Sequence, residues 1–192
     1  MLSVQIPKTG GTSVAQFLRH AGFSEHFGID HKAVRPAMIC PPQHYDYDLI
    51  SKFVRFERLG YSFAIVRHPI SRIISDYKWA TTKTMMKASN FSFDEWVQRC
   101  FNEFDRNEYF LANHIKPQHK FVGPKISRVF KYEDGLNSIM SEIFNHCNFS
   151  MIRPIELPTL NKTTPKEIHM KQETETLIRS FYAKDFEQFG YD

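Results

Sequence analysis

The sequence lacks the features that define several large classes of protein. It has only three cysteines, Cys40, Cys100 and Cys147, which are too few and too far apart for a disulfide framework or a metal site. A reducing compartment is therefore expected. No apolar run approaches the length of a membrane span, and no charged segment followed by an apolar one opens the chain, so neither a membrane helix nor a secretory leader is predicted.

Glycine is also scarce, and its placement excludes a common kind of phosphate loop. A Walker A loop needs a glycine, four residues and then Gly–Lys–Ser/Thr, whereas Lys8 here precedes the glycine pair Gly10 and Gly11. No aspartate follows a predicted strand in a position to hold Mg²⁺. A nucleoside triphosphatase is therefore disfavoured.

The overall composition is typical of one globular domain spanning residues 1–192. Hydrophobic residues make up 42% of the chain and charged residues 24%, which excludes a disordered protein, and the length is sufficient for a sizeable core. The net charge of +4 favours anionic ligands but is too small for a nucleic-acid-binding protein. We therefore expect no nucleic acid partner.

Apolar runs alternate with helical patterns along the chain. Residues 2–6, 62–66 and 126–130 are predicted strands, and residues 23–28 are a candidate for another short strand. Pro69 is expected to open a helix, and Ser92 is expected to cap another, with Glu95 completing a capping box. The alternation predicts an α/β fold with a central, mainly parallel sheet flanked by helices and with ligands at the carboxyl ends of its strands.

The turn after the first predicted strand is the clearest candidate binding site. Within residues 6–13 the predicted strand ends, a glycine pair follows, and a helix begins. Several backbone N–H groups and the positive end of the helix dipole then point at one place. A lysine charge and three hydroxyl groups add donors. We predict a phosphate cradle, and its residues are Pro7, Lys8, Thr9, Gly10, Gly11, Thr12 and Ser13.

A second candidate anion site follows the strand at 62–66. Arg67 leaves this strand, and Ser75 lies eight residues later in the helix that begins near Pro69. An arginine fork with a helical hydroxyl suits a terminal phosphate, although a surface arginine and a solvent-facing serine would give the same pattern. If the two strands are neighbours, Lys8 and Arg67 face one crevice.

Together the two sites resemble those of the sulfotransferases that use 3′-phosphoadenosine 5′-phosphosulfate (PAPS). Residues 7–13, PKTGGTS, are similar to the family's 5′-phosphosulfate loop, and residues 65–77, IVRHPISRIISDY, are similar to its 3′-phosphate segment. The TGGT form is more like the carbohydrate-modifying branch than the branch that acts on aryl and steroid substrates. Further similarity covers nearly the whole chain, through PQH at 42–44, NHIKPQ at 113–118, FKYE at 130–133 and LN at 160–161.

The resemblance implies a P-loop-like, three-layer α/β fold, no metal, and transfer of a sulfuryl group from PAPS to an acceptor hydroxyl, usually on a carbohydrate. Related animal enzymes are Golgi proteins with a membrane anchor. Since the chain shows no such anchor, a cytoplasmic protein is expected, with a lumenal catalytic domain separated from its anchor as the alternative.

The resemblance also implies roles for individual residues. Lys8 is expected at the leaving group, where its charge would stabilise the bridging oxygen. The acceptor hydroxyl needs a base, and histidine is the usual choice. His44 is favoured, because family members place a functional histidine or acidic residue after the second strand. The alternatives are His31, then His114 and, behind them, Asp30 or Glu57.

Further site residues are predicted in two later segments. Lys162 and Thr163 lie in a polar stretch that, in the family, often closes over the donor nucleotide. Lys116 stands where the family more often has arginine, and a lysine keeps the charge but loses the bidentate fork. The residues expected to contact the acceptor or to orient the base are Asn113, His114 and Gln118.

Two other functions remain open from the sequence. A small-molecule kinase would need the Mg²⁺ ligands and the Walker loop that the chain lacks. A non-catalytic nucleotide-binding protein of the same fold would keep Lys8, Arg67 and Ser75 but lack the base. No pattern encodes the acceptor, and the positive charge permits an anionic polysaccharide without requiring one.

Overall fold

A parallel sheet with helices on both faces forms the centre of the molecule. The computed structural model describes residues 1–24, 38–83, 88, 90–149 and 168–192. Within these residues the strands are β1 (Leu2–Val4), β2 (Ser62–Val66) and β3 (Arg128–Lys131), in the sheet order β1-β2-β3. Both strand pairs are parallel, which confirms the predicted α/β fold with a central parallel sheet.

Seven α-helices lie in the described part of the chain. They are α1 (Gly11–His20), α2 (Tyr47–Phe53), α3 (Pro69–Thr82), α4 (Phe93–Arg106), α5 (Leu136–His146), α6 (Gln172–Phe181) and α7 (Ala183–Phe189). None of these helices has the length and apolarity needed to span a membrane. The candidate strand at 23–28 lies mostly outside the described residues.

Short 3₁₀ turns complete the described secondary structure. They lie at Pro42–His44, Phe56–Arg58, Phe110–Asn113, Gln118–Phe121 and Tyr132–Asp134. Two of them, Pro42–His44 and Phe110–Asn113, contribute to the candidate site.

Local sequence signals set the helix boundaries. Pro69 occupies the first turn of α3, where its missing N–H costs no hydrogen bond. The predicted capping box opens α4: the Ser92 hydroxyl accepts from the Glu95 N–H at 3.3 Å, and the Glu95 carboxylate accepts from the Ser92 N–H at 2.8 Å. Asp46 caps α2 by accepting from the Leu49 N–H at 2.9 Å.

The central strand β2 is buried along its whole length, as its continuous apolar sequence predicts. Phe63 and Ile65 face one side, where they pack with residues of α1 and α5, while Ala64 and Val66 face the other side. A further apolar cluster joins α3, α4 and α6 around the fully buried Trp96. Because all three strands are parallel, their carboxyl ends meet at one edge, which is where the candidate site lies.

Gly123 approaches the ring of Tyr47 too closely for any side chain. A Cβ at this position would overlap ring atoms of Tyr47. We expect Gly123→Ala to lower the free energy of unfolding by about 1–3 kcal/mol, since the ring must move to relieve the overlap. Urea denaturation measures this, with Gly60→Ala as the control because nothing lies within 4 Å of a Cβ there. Equal stabilities of the two variants would contradict the packing argument.

Candidate functional site

The phosphate loop predicted after β1 is a tight turn with two residues in the left-handed conformation. Lys8 has φ 70° and Gly10 has φ 88°, and α1 begins at the next residue. A lysine in this conformation is strained, and strain of this kind is concentrated at functional sites. A Cβ at Gly10 would lie 2.8 Å from Leu136 Cδ1, so both the backbone conformation and the close approach require glycine.

The loop leaves the start of α1 open to an anion. Gly10 is the N-cap and provides no side-chain cap, and no acidic residue lies in the first turn. The first N–H groups of a helix have no partner within it, and the helix dipole makes this end positive. The Thr9 hydroxyl is used inside the loop, where it donates to the Ile6 carbonyl at 2.9 Å. Thr12 is exposed, and Ser13 is buried.

Arg67 lies beside this loop, as the parallel arrangement predicts. Its Nη1 donates to the Lys8 carbonyl at 3.2 Å, and its guanidinium lies over the Tyr132 ring at 4.5 Å from the centroid. The end of β2 and the loop after β1 therefore form one cationic corner. Ser75 is half-buried on α3, the helix that starts two residues after Arg67.

The backbone of Arg67 is held by the side chain of Gln118. The Arg67 N–H donates to Gln118 Oε1 at 2.9 Å, and Gln118 Nε2 donates to the Arg67 carbonyl at 2.7 Å. Gln118 is in turn anchored by the buried Asp185, which accepts from its N–H at 2.7 Å. Asp185 also accepts from His119 Nδ1 at 2.8 Å. Gln118 is fully buried, so its amide supports the arginine and is not open to an acceptor.

Lys8 is a half-buried cation beside an aromatic ring and a carboxylate. Its Nζ lies 5.2 Å from the centroid of the Trp79 ring. Burial, assisted by the neighbouring Arg67 and opposed by the Asp76 carboxylate, lowers the pKa of the Lys8 ammonium below its ordinary value. The Lys8 ammonium therefore holds its proton less tightly than a lysine in water does.

His44 is held from two sides by a strained turn. Leu111, Ala112 and Asn113 all have positive φ angles, of 49°, 55° and 66°. This turn brings the Ala112 carbonyl to 3.1 Å from His44 Nδ1, and the Asn113 side chain donates to the His44 carbonyl at 2.9 Å. A carbonyl can only accept, so Nδ1 of His44 carries the proton and Nε2 holds the lone pair of the neutral ring.

His114 lies next to His44, and the two rings are in edge contact with 5.0 Å between centroids. His114 is also stacked on Trp79, with 4.6 Å between centroids, and its Nδ1 lies 2.6 Å from Asp76 Oδ1. The structure thus brings His44 and His114 together, and Trp79 contacts both His114 and Lys8. Asn113 is fully buried beneath this pair, so its amide is not open to an acceptor.

A buried arginine fixes the segment that carries these residues. Arg72 donates to the carbonyls of His114 at 2.9 Å and of Lys116 at 3.0 Å, and only 1% of it is exposed. The Tyr182 hydroxyl donates to the carbonyl of Ile115 at 2.8 Å. These contacts bind the irregular chain around His114 to α3 and to the end of α6.

Lys116 is not available to bind an anionic ligand. It is buried and ion-pairs with Asp46, and its Nζ lies 3.2 Å from a Glu108 carboxylate oxygen. Burial disfavours the ammonium, but these two carboxylates outweigh burial and raise the pKa of Lys116. Both contacts keep the Lys116 ammonium paired inside the protein.

Several predicted residues lie elsewhere. His31, Asp30, Lys162 and Thr163 fall outside the described residues. Glu57 is exposed and pairs with Lys125, near the amino end of β2 and thus at the opposite end of the sheet from Arg67. The fallback role of Glu57 as the base is therefore wrong. Among the described residues there is no group of three or more histidine, cysteine, aspartate or glutamate side chains that could hold a metal ion.

The sequence reasoning missed the supporting residues, above all Asp76 and Trp79. A signal for Asp76 was present: it lies on the helix face of Ile73, Tyr77 and Ala80, all of which are buried. An acidic residue on such a face needs a partner inside the protein. The identity of that partner, His114, depends on a contact between residues 38 positions apart in the chain.

A variant that breaks the buried ion pair of Lys116 with Asp46 tests whether this pair stabilises the segment 113–119. We expect Lys116→Met to lower the free energy of unfolding by about 3–5 kcal/mol, because the buried Asp46 carboxylate loses its cation. Urea denaturation at neutral pH measures this. Arg106→Met is the control, since Arg106 forms an exposed ion pair with Glu103 and should change stability by less than about 1 kcal/mol. If Lys116→Met is as stable as the control, the ion pair with Asp46 does not stabilise this segment.

Comparison with known proteins identifies the family. Searches of curated proteins and of solved structures gave no significant match. A model of the sulfotransferase family matches residues 1–192, the whole chain. The parallel sheet with a phosphate loop after its first strand fits the P-loop-like fold that the resemblance implied. The chain therefore belongs to the sulfotransferase family, as the likeness of its two anion-binding segments predicted.

Proposed function

We propose that this sulfotransferase moves a sulfuryl group from PAPS to a hydroxyl group of a carbohydrate acceptor. The family supports sulfotransfer in general. The choice of donor rests on one observation: Arg67 and the Lys8 loop meet at the same edge of the sheet, with Arg67 Nη1 3.2 Å from the Lys8 carbonyl. Two adjacent anion sites suit a ligand that carries two separate anionic groups.

The residues at this edge fit such a donor. The start of α1 is uncapped, and the space beside Gly10 is too small for even one further carbon atom. Arg67 Nε is buried and has no hydrogen-bond partner among the described residues, which leaves a donor unsatisfied in the absence of a ligand. We therefore assign the 5′-phosphosulfate to the loop at 7–13 and the 3′-phosphate to Arg67 and Ser75.

The bound donor supplies the sulfuryl group and the phosphate that leaves. The acceptor oxygen forms a bond to sulfur while the bond from sulfur to the bridging oxygen breaks, and that electron pair departs with the 5′-phosphate. Lys8 and the N–H groups of the loop stabilise the charge that builds on the bridging oxygen. The proton of the acceptor hydroxyl passes to a histidine.

His44 is the base that the geometry favours. Its Nδ1 donates to the Ala112 carbonyl, so Nε2 can take a proton, and the Asn113 side chain fixes the backbone of the same residue. The strained residues Leu111 to Asn113 support this role, since such conformations persist where the structure needs them. His114 and His31 are the alternatives.

A kinase and a nucleotide-binding protein without activity are the rival functions. Thermal shift with 3′,5′-adenosine bisphosphate and with ATP plus Mg²⁺ separates the donor classes, because the loop lacks the Walker arrangement. We expect stabilisation by the bisphosphate and little by ATP. Turnover of PAPS with a panel of sugar acceptors then separates an enzyme from a binding protein. Stabilisation by ATP alone would refute the proposal.

Lys8→Ala tests the role of the lysine at the leaving group. We expect kcat to fall by about 10²–10³-fold, since one preorganised charge contact in the transition state is lost. Steady-state assays with PAPS measure it. Lys52→Ala is the control, because Lys52 is exposed on α2. A Lys8→Ala variant with near-normal kcat would exclude this role.

Alanine variants of His44, His114 and His31 test the assignment of the base. We expect His44→Ala to lower kcat by about 10²–10⁴-fold, because the acceptor hydroxyl has a pKa far above neutral and then lacks a proton acceptor. Its affinity for 3′,5′-adenosine bisphosphate, measured by calorimetry, should stay within about 3-fold of the parent. If His44→Ala keeps its kcat while one of the other two loses it, the base is that other histidine.

A further inference from the structure

Asp76 is a buried carboxylate that the sequence did not assign to the site. It lies on α3 next to Ser75, and only 1% of it is exposed. Oδ1 is 2.6 Å from His114 Nδ1, while Oδ2 is buried with no hydrogen-bond partner among the described residues. A buried carboxylate oxygen without a donor is costly, so its presence here calls for an explanation.

Asp76 is a fixed negative charge. Burial favours its neutral form, but the His114 imidazole, the Lys8 ammonium and the Arg72 guanidinium outweigh burial and lower the pKa of the Asp76 carboxyl. Because an ionised carboxylate can only accept hydrogen bonds, Nδ1 of His114 carries the proton. Whenever the ring is neutral, Nε2 of His114 therefore holds the lone pair.

A continuous series of contacts connects the two halves of the site. Lys8 Nζ lies 5.2 Å from the centroid of Trp79, Trp79 stacks on His114 at 4.6 Å, and His114 meets His44 at 5.0 Å. Asp76 lies alongside this series, in contact with His114 and within electrostatic range of Lys8.

The reaction creates an electrostatic conflict in this arrangement. The leaving group needs Lys8 and Arg67 as cations, while the base becomes a further cation when it takes the acceptor's proton. Like charges held in one site with little water between them oppose this step. Among the described residues, the other charged groups near His114 do not relieve the conflict. Arg72 is itself a cation, and Lys116 is neutralised by its own carboxylates.

On the basis of the proposed function, we propose that Asp76 is a positioning residue for catalysis. It holds His114 in the Nδ1–H form against Trp79 and supplies the negative charge that allows the His44–His114 pair to accept a proton beside Lys8. The proton moves from the acceptor hydroxyl to a histidine Nε2, and Asp76 remains ionised throughout. The Asp76 carboxylate thus carries a negative charge that acts on both Lys8 and His114.

Asp76→Asn tests this role, because asparagine keeps the shape of the side chain and removes the charge. We expect kcat to fall by about 10- to 100-fold. We also expect the acid limb of the kcat–pH profile to move to lower pH by about one pH unit, since a histidine without a nearby anion loses its proton more easily. The affinity for 3′,5′-adenosine bisphosphate should stay within about 3-fold, because the Arg67 contacts are unchanged. An unmoved acid limb, or a loss of kcat matched by an equal loss of nucleotide affinity, would overturn the proposal.

Asp185→Asn is the matched control. Asp185 is also a buried aspartate whose carboxylate accepts a hydrogen bond from a histidine Nδ1, here that of His119. Unlike Asp76, it also accepts from the N–H of Gln118, the residue that holds the Arg67 backbone. We expect the opposite result: weaker binding of the bisphosphate and an unmoved acid limb. The same shift of the acid limb in both variants would show that any buried charge has this effect, and would overturn the specific role of Asp76.

Two further measurements keep the test decisive. Imidazole ¹⁵N NMR on the parent and on Asp76→Asn reports the His114 tautomer without any turnover, so it separates failure of this inference from failure of the PAPS assignment. We expect the Nδ1–H form in the parent, and an Nε2–H form there would overturn the inference. If Asp76→Asn does not fold, His114→Asn serves instead, since asparagine can still donate to Asp76 but lacks Nε2. It should show the same loss of kcat at unchanged nucleotide affinity, and retention of kcat would refute the proposal.

Discussion

The parallel pairing of β1 with β2 is the constraint on which the rest of the site depends. Because Leu2 pairs with Ser62 and Val4 with Ala64, the two strands end at the same edge, and the residues that follow them must meet there. Lys8 and Arg67 are consequently close enough for the arginine to bond to the lysine's carbonyl. Their charges repel each other, and Arg67 contributes to the lowered pKa of Lys8. An anion at this corner relieves that repulsion, so the fold itself favours an anionic ligand.

Buried ionic residues hold the site together where an apolar core could not. Arg72, Lys116 and Asp185 are almost fully buried. Arg72 and Asp185 bond to the irregular segment 113–119, and Lys116, which belongs to that segment, pairs with Asp46 outside it. Burial of charge is costly, and a hydrophobic replacement can be as stable. Hydrogen bonds, however, have direction, so these residues fix carbonyls, amides and imidazole rings at defined positions that apolar packing leaves loose.

Sequence reasoning was most successful where the determinant is local. The strand at 62–66, the capping box at Ser92 and the glycine turn before α1 were predictable, because each depends on residues within a few positions of one another. The meeting of Lys8 and Arg67 followed from the rule for parallel strands. The contacts of the Gln118 amide could not be predicted by such a rule. They join Gln118 to the backbone of Arg67, 51 positions earlier in the chain, and depend on how an irregular segment folds back.

The turn at Leu111 to Asn113 shows why an isolated histidine is hard to interpret from sequence. Three consecutive residues with positive φ are each unfavourable, by about 1–3 kcal/mol for strained non-glycine residues. No local pattern predicts such a turn, since none of the three is glycine. The tertiary contacts of His44 and of the Arg72 guanidinium must therefore stabilise it. In return the turn gives His44 a defined tautomer and a fixed backbone. The chemical character of this histidine is thus a property of the fold around it, not of the residues beside it in the chain.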